Sequence, residues 1–343
     1  MQNAKTYRIS FVFLGIALVI ALLLNIGSGS VNIPFPDVIS ILFGGNPEID
    51  SWRYIVHDFR VPKALTSILV GGGLALSGLL MQTLFRNPLA GPFVLGISSG
   101  ASLGAALLLM GTSLLTGLTS FSFLGDVSLA LAASLGSFLV LLVVMIVAQR
   151  VKDTMALLII GLMFGSITSA IVSVLAYFSS SEQLRRFIFW SFGSVSNLSF
   201  NQITLLAALV LIGIALSILS VKSLNALLLG ENYAQSLGVS LQKSRMTLII
   251  ATGILAGGIT AFAGPIAFVG LAVPHLTRQI FDTMEHKILI PAVLLYGAIL
   301  MLLCDTIAQM PNSASVLPIN SITSLVGAPV VIWLLVRKRK MMF

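Results

Sequence analysis

Arg60-Val61-Pro62-Lys63 sets two cations one helical turn apart at the mouth of a long apolar run. Two chemistries suit such a pair: snorkelling anchors at a membrane interface, or a docking point for the carboxylates of another protein. Either way, Arg60 and Lys63 are expected on the surface. The other residues able to do chemistry are thinly spread. His57, His275 and His286 are scattered, and the single cysteine, Cys304, excludes an intrachain disulfide. No Gly-Lys pair occurs, so a phosphate-cradling P-loop is absent. Serines fall mostly inside apolar runs, where they pack helices instead of forming a Ser/His/Asp set. No catalytic, cofactor or metal site is expected of this chain.

The elements that must position these residues are helices in lipid. The chain is 57% hydrophobic and 9% charged, with a mean hydropathy of +1.06. A soluble domain carries roughly 25% charged residues. Apolar runs predict an all-α membrane protein with ten transmembrane helices at 9–27, 64–84, 93–112, 126–149, 154–178, 201–221, 245–263, 265–281, 288–306 and 318–336. Pro274, His275 and Arg278 interrupt the eighth. The run Ile9–Ile26 exceeds the roughly 7–15 residues of a signal h-region, and reads as a retained signal-anchor helix. No long polar linker divides the chain, so 1–343 is read as one transmembrane domain.

Charge orients it. With ten spans and the N-terminus inside, the inner joints collect Lys5, Arg8, Arg86, Arg150, Lys152, Lys222, Lys243, Arg245, Arg278, Lys287, Arg337, Lys338, Arg339 and Lys340. These are 14 of the 19 Lys and Arg. Both termini are therefore expected in the cytoplasm. That bias accounts for the net charge of +8 without a nucleic-acid partner. Ionisable groups within spans would mark ion or proton sites. Here the spans are almost free of candidates, with Asp126 and Asp305 near helix ends and His275 in the interrupted eighth span, so the energy source is expected on another chain.

Three joints carry more pattern than a simple turn needs. Gln82 to Pro92, with Asn87-Pro88 and Gly91-Pro92, makes a stiff inner turn before the small residues Gly96 to Ala101. Segment 222–244, punctuated by Gly230 and Gly238, predicts two short surface helices able to dock a cytoplasmic partner. Ala90-Gly91-Pro92 and Ala263-Gly264-Pro265 recur at opposite ends of their helices, as an inverted repeat relating spans 2–5 to 7–10 would give.

These strings together resemble the FecCD family, the iron-chelate and cobalamin permeases of bacterial ABC importers. The resemblance rests on Arg60 to Lys63, Gln82 to Ala101, Trp190-Ser191-Phe192-Gly193-Ser194, Leu229-Gly230-Glu231 with Leu237-Gly238, Phe268 to Arg278, and Thr323 to Pro329. It implies a multi-pass permease of the bacterial cytoplasmic (inner) membrane, itself non-catalytic, importing iron-siderophore, haem or cobalamin. Its implied partners are a second permease subunit (identical or a paralogue), two cytoplasmic ATPase subunits that bind the ATP, and an extracytoplasmic substrate-binding protein. Residue by residue, the resemblance gives Arg60 and Lys63 to binding-protein docking. It gives Leu229, Gly230, Glu231, Ala234, Leu237 and Gly238 to ATPase coupling. Asn87, Leu89, Thr154 and Met155 go to the cytoplasmic gate. Gly161, Gly165, Ser166 and Ser169, with Thr168, would line a pathway at the dimer interface, although Gly-x-x-x-Gly helix packing is a competing reading.

The chain departs from the family pattern in three places. The first basic motif ends in Lys63 where the family usually has Arg, a point charge instead of a fork. Asp305 is followed by Gln309 where an Arg is common. Ser315 to Asn320 replaces a Pro-Glu-x-Pro-x-Gly pattern. The alternatives are an ion-gradient-driven secondary transporter, which would need a buried carboxylate pair, and a non-transporting scaffold, which would not need the stiff turns beside a platform.

Overall fold

The long apolar runs fold as helices because lipid offers their backbone groups no other partners. The computed structural model describes residues 4–45, 47–111, 126–151, 153–196, 198–310 and 316–336. Lys152, Ser315 and the basic run Arg337–Lys340 lie outside the described residues, as do the side chains of Lys5, Asp126 and Thr154. Among the described residues there are helices and no strand. In chain order they are α1 (Ala4–Gly27), α2 (Phe35–Leu42), α3 (Asp50–Leu84), α4 (Ile97–Met110), α5 (Asp126–Arg150), α6 (Thr154–Tyr177), α7 (Ser181–Ser191) and α8 (Phe200–Leu219). They continue as α9 (Val221–Leu228), α10 (Glu231–Ser236), α11 (Leu241–Ala263), α12 (Val269–Phe281), α13 (His286–Ala308) and α14 (Ile319–Val336).

Seven of these, α1, α3, α5, α6, α8, α11 and α13, are long and apolar enough to cross a membrane. The other three expected spans correspond to shorter helices. α4 follows a 3₁₀ turn at Pro92–Leu95 and the left-handed Gly96. α12 has 13 residues and α14 has 18. The second expected span also starts earlier than the sequence suggests. Pro62 does not open it; the helix begins at Asp50 and passes through a wide-turn stretch, Ile55–Arg60, directly before the proline. Such an i→i+5 stretch absorbs the missing N–H. The joint between the fifth and sixth expected spans contains α7. Ser180 with Gln183 and Ser199 with Gln202 form capping boxes that start α7 and α8.

α3 is the central strut: 83% of its most apolar window is buried, against 17% for α6. Glycines let its backbone touch two neighbours. Gly71 meets Gly297 of α13, and Gly78 meets Gly270 of α12. Gly100 and Gly104 of α4 meet α5 around Ala132 and Gly136 in the same way. With no hydrophobic drive between helices in lipid, close backbone packing of this kind supplies the association. Each Gly-Pro string runs irregularly into a helix over a left-handed residue, Gly96 (φ 71) before α4 and Phe268 (φ 66) before α12.

Candidate functional site

The segment read as a docking surface, 222–244, begins where α8 turns into α9. Gly230 (φ 105) breaks the chain between α9 and α10, and Gly238 (φ 80) ends α10, both in conformations that disfavour a Cβ. The two short helices have the expected extent. Leu229, Tyr233 and Leu237 stand exposed around the break at Gly230. Ala234 is fully buried and is corrected from partner contact to internal packing. Glu231 pairs with the buried Arg245 of α11 at 2.6 Å, which pins α10 to the bundle. Beside this pair opens a cleft of about 600 Å³, lined by Arg86 and by residues of 229–236. Arg86 takes a positive φ of 47 to turn towards it. The sequence gives no signal for that approach, because Arg86 and Gly230 are brought together only by the fold.

The string after α3 is lashed to α12. Asn87 Oδ1 accepts the Leu89 N–H at 2.9 Å, closing an Asx turn that leaves Leu89 exposed. His275 Nε2 lies 2.8 Å from the Pro88 carbonyl, so this histidine holds the turn. Arg278 Nη1 donates to Gln82 Oε1 at 2.8 Å, and Gln82 Nε2 donates to the Leu271 carbonyl at 3.1 Å. α6 starts at Thr154 with Asp153 as its N-cap, accepting the Met155 N–H at 3.0 Å, and Met155 is exposed.

The small-residue stripe of α6 divides between two faces. Gly161 is buried and packs against the Val94 carbonyl, while Gly165 approaches Ser99. Thr168 is buried as well. A Cβ at Gly161 would push α6 off the turn at Pro92–Leu95, so this glycine serves helix packing and is corrected from pathway lining. Ser166 and Ser169 are exposed, and Ser173 extends their row. Met155, Ile159 and Leu162 continue it towards the start of α6 in steps of three and four. Ser166 and Ser173 hydroxyls donate to carbonyls of their own helix at 3.2 and 3.0 Å. The row of small polar and medium apolar side chains runs along the broad exposed face of the least buried of the seven long helices, beside the exposed Met163, Ile167, Ile171 and Val174.

At the far end of α3 the expectation of exposed cations fails. Arg60 is 7% exposed and its guanidinium donates to the carbonyls of Ile26 (2.8 Å), Gly27 (3.0 Å) and Val31. Lys63 pairs with Asp305 of α13 at 3.2 Å, and both side chains are nearly buried. The second carboxylate oxygen of Asp305 accepts from Asn25 and Gln309, each at 2.8 Å. A buried cation needs such partners, and the carbonyls ending α1 attract one. Arg60 and Lys63 thus clamp α1 to α3 and α13, and Gln309 completes the carboxylate's bonds where a docking arginine was looked for.

The chain resembles known transport proteins over nearly its whole length. Residues 17–337 match the description of the FecCD transport family. A vitamin B12 import system permease protein, BtuC, of Klebsiella pneumoniae is 37% identical over 340 residues, which cover 99% of this chain and 96% of that protein. The BtuC protein of Salmonella typhi is 39% identical over 286 residues, 83% of this chain and 84% of that one. A solved structure described as an inward-facing, metal-chelate type ABC transporter superposes with a TM-score of 0.81 at 30% identity, covering 97% of this chain and all of that chain. With a glycine-locked helix bundle and these matches together, the chain belongs to the FecCD transport family, as an inner-membrane ABC importer permease that works with ATPase and substrate-binding partners.

Proposed function

We propose that this chain forms, with a second permease subunit, the membrane path of an ATP-driven importer of metal chelates, with iron-siderophore complexes as cargo. The exposed seam of α6 carries the reading. A purely lipid-facing helix has no use for Ser166, Ser169 and Ser173 in one row, whereas a cleft between two subunits has. Small hydroxyl side chains leave room for a bulky polar cargo and offer it weak hydrogen bonds. In this reading the ten helices cross the membrane with both termini cytoplasmic, and 222–244 seats an ATPase through Leu229, Tyr233 and Leu237. The chain itself hydrolyses nothing. Cobalamin is the second reading, favoured by the 37% identity to a B12 permease over almost the full chain.

Two experiments test this. Proteoliposomes holding the chain with its ATPase and binding protein should accumulate a radiolabelled ferric siderophore only when ATP is enclosed. Preference for radiolabelled cyanocobalamin would select the second reading. Uptake without ATP that a protonophore abolishes would sink both. Separately, Ser169→Cys in a Cys304→Ser background should give a disulfide-linked permease dimer on mild oxidation in native membranes. Val127→Cys, exposed at the start of α5, should give none; equal linking of the two would remove the seam from the interface.

A further inference from the structure

Behind the platform, three polar side chains from three helices meet. His286 opens α13 and is 1% exposed. Its backbone N–H donates to Asn225 Oδ1 of α9 at 3.0 Å, and its ring Nδ1 lies 2.7 Å from the same oxygen. Its Nε2 lies 2.9 Å from Thr83 Oγ1, in the last turn of α3. The backbone N–H fixes that Asn225 atom as an acceptor, so Nδ1 must carry a ring proton. In the neutral ring, Nε2 then accepts from the Thr83 hydroxyl, whose alternative acceptor is the Leu79 carbonyl at 2.9 Å. One imidazole, held in one tautomer, bridges the platform helix to α3 and α13.

The bridge matters because of what it joins. α9 continues from α8 through Ser220, and α10 is held to α11 by the Glu231–Arg245 pair. Both links reach α3 by packing, through α8 and α11, but neither is a hydrogen-bonded link from α9 to α3 and α13, which Gly71 and Gly297 lock into one body. His286 and Asn225 supply that link. A displaced platform can pull on two spans at once only through contacts that resist shear, and a fixed set of hydrogen bonds does so better than apolar contacts that slide. We propose that His286, oriented by Asn225, is the positioning residue that carries platform displacement into the α3–α13 pair. The inference rests on the reading of 222–244 as the ATPase seat.

The test uses the full complex with its ATPase in lipid nanodiscs. Spin labels on Leu89→Cys and Met155→Cys, in a Cys304→Ser background, report the distance between the end of α3 and the start of α6. Unmodified at the bridge, the complex should change that distance on trapping with MgATP and vanadate. Asn225→Leu should keep ATP hydrolysis but lose the distance change. Asn225→Asp, whose carboxylate accepts both bonds, should restore it. A change in Asn225→Leu equal to the unmodified one overturns the proposal. So does ATP hydrolysis falling in step with complex assembly in both variants, since the bond would then be merely structural. Absence of any change in the unmodified complex would instead remove the platform reading beneath it.

Discussion

Gly297→Leu should leave almost no monodisperse protein in a detergent extract of expressing membranes. Gly71 and Gly297 face one another where α3 crosses α13, and a Cβ built on either falls onto the other's backbone carbonyl. Overpacking a core by a methylene costs about 1–3 kcal/mol when side chains can rotate away. A backbone carbonyl cannot rotate without breaking its helix, so a leucine must drive the two helices apart. The loss spreads because α3 is the strut against which α12, α13 and α8 all pack. Lipid supplies no hydrophobic force to draw them back. Gly15→Leu on α1 is the control, because a Cβ there meets nothing within 4 Å. Size-exclusion of fluorescent-tagged extracts reads the result, and a sharp Gly297→Leu peak like that of Gly15→Leu would disprove the crossing.

Asp305→Ala should be nearly as damaging. It leaves the Lys63 ammonium buried without its counter-charge and Asn25 and Gln309 without their shared acceptor. Removing one partner of a buried ion pair typically costs about 3–5 kcal/mol, chiefly through the charge left behind. The thermal midpoint of the purified chain should therefore fall markedly. Replacing the pair together, Lys63→Met with Asp305→Leu, should recover most of the loss, because no uncompensated charge remains. If Asp305→Ala leaves the midpoint unchanged but weakens binding-protein capture, the cations face outwards after all. The structure predicts the opposite order: stability responds first.

The two short helices of 222–244 were legible before any fold was known, because Gly230 and Gly238 punctuate a segment too polar to span. Their exposed face was not. Ala234 lies in the same short run as Leu229 and Leu237, yet its methyl points inwards, and only the seating of α10 against α11 through Glu231 and Arg245 sets that rotation. α7 was missed although its signal was written in the chain. Ser180 with Gln183 is a capping box, and an apolar-run search passes over an 11-residue helix with a polar first turn.

The clamp at Arg60 and Lys63 shows the same division more sharply. Two cations beside a proline at a span's end read as surface groups in any local window. Their partners stand far off along the chain: Asp305 for Lys63, and the carbonyls ending α1 for Arg60. Asn25 and Asp305, which share a hydrogen bond, are separated by 280 positions.

What the sequence determined by itself is the solvent, the helical class, the approximate runs and the family. Hydropathy is summed over neighbouring residues, and the family strings are contiguous, so neither needs a fold to be read. What only the tertiary structure decided is which face each residue presents. Gly161 packs while Ser166 stays open, Arg60 is buried, and His286 finds Asn225. Each outcome depends on the rotation of one helix against another, which is set where glycine backbones touch across long stretches of chain.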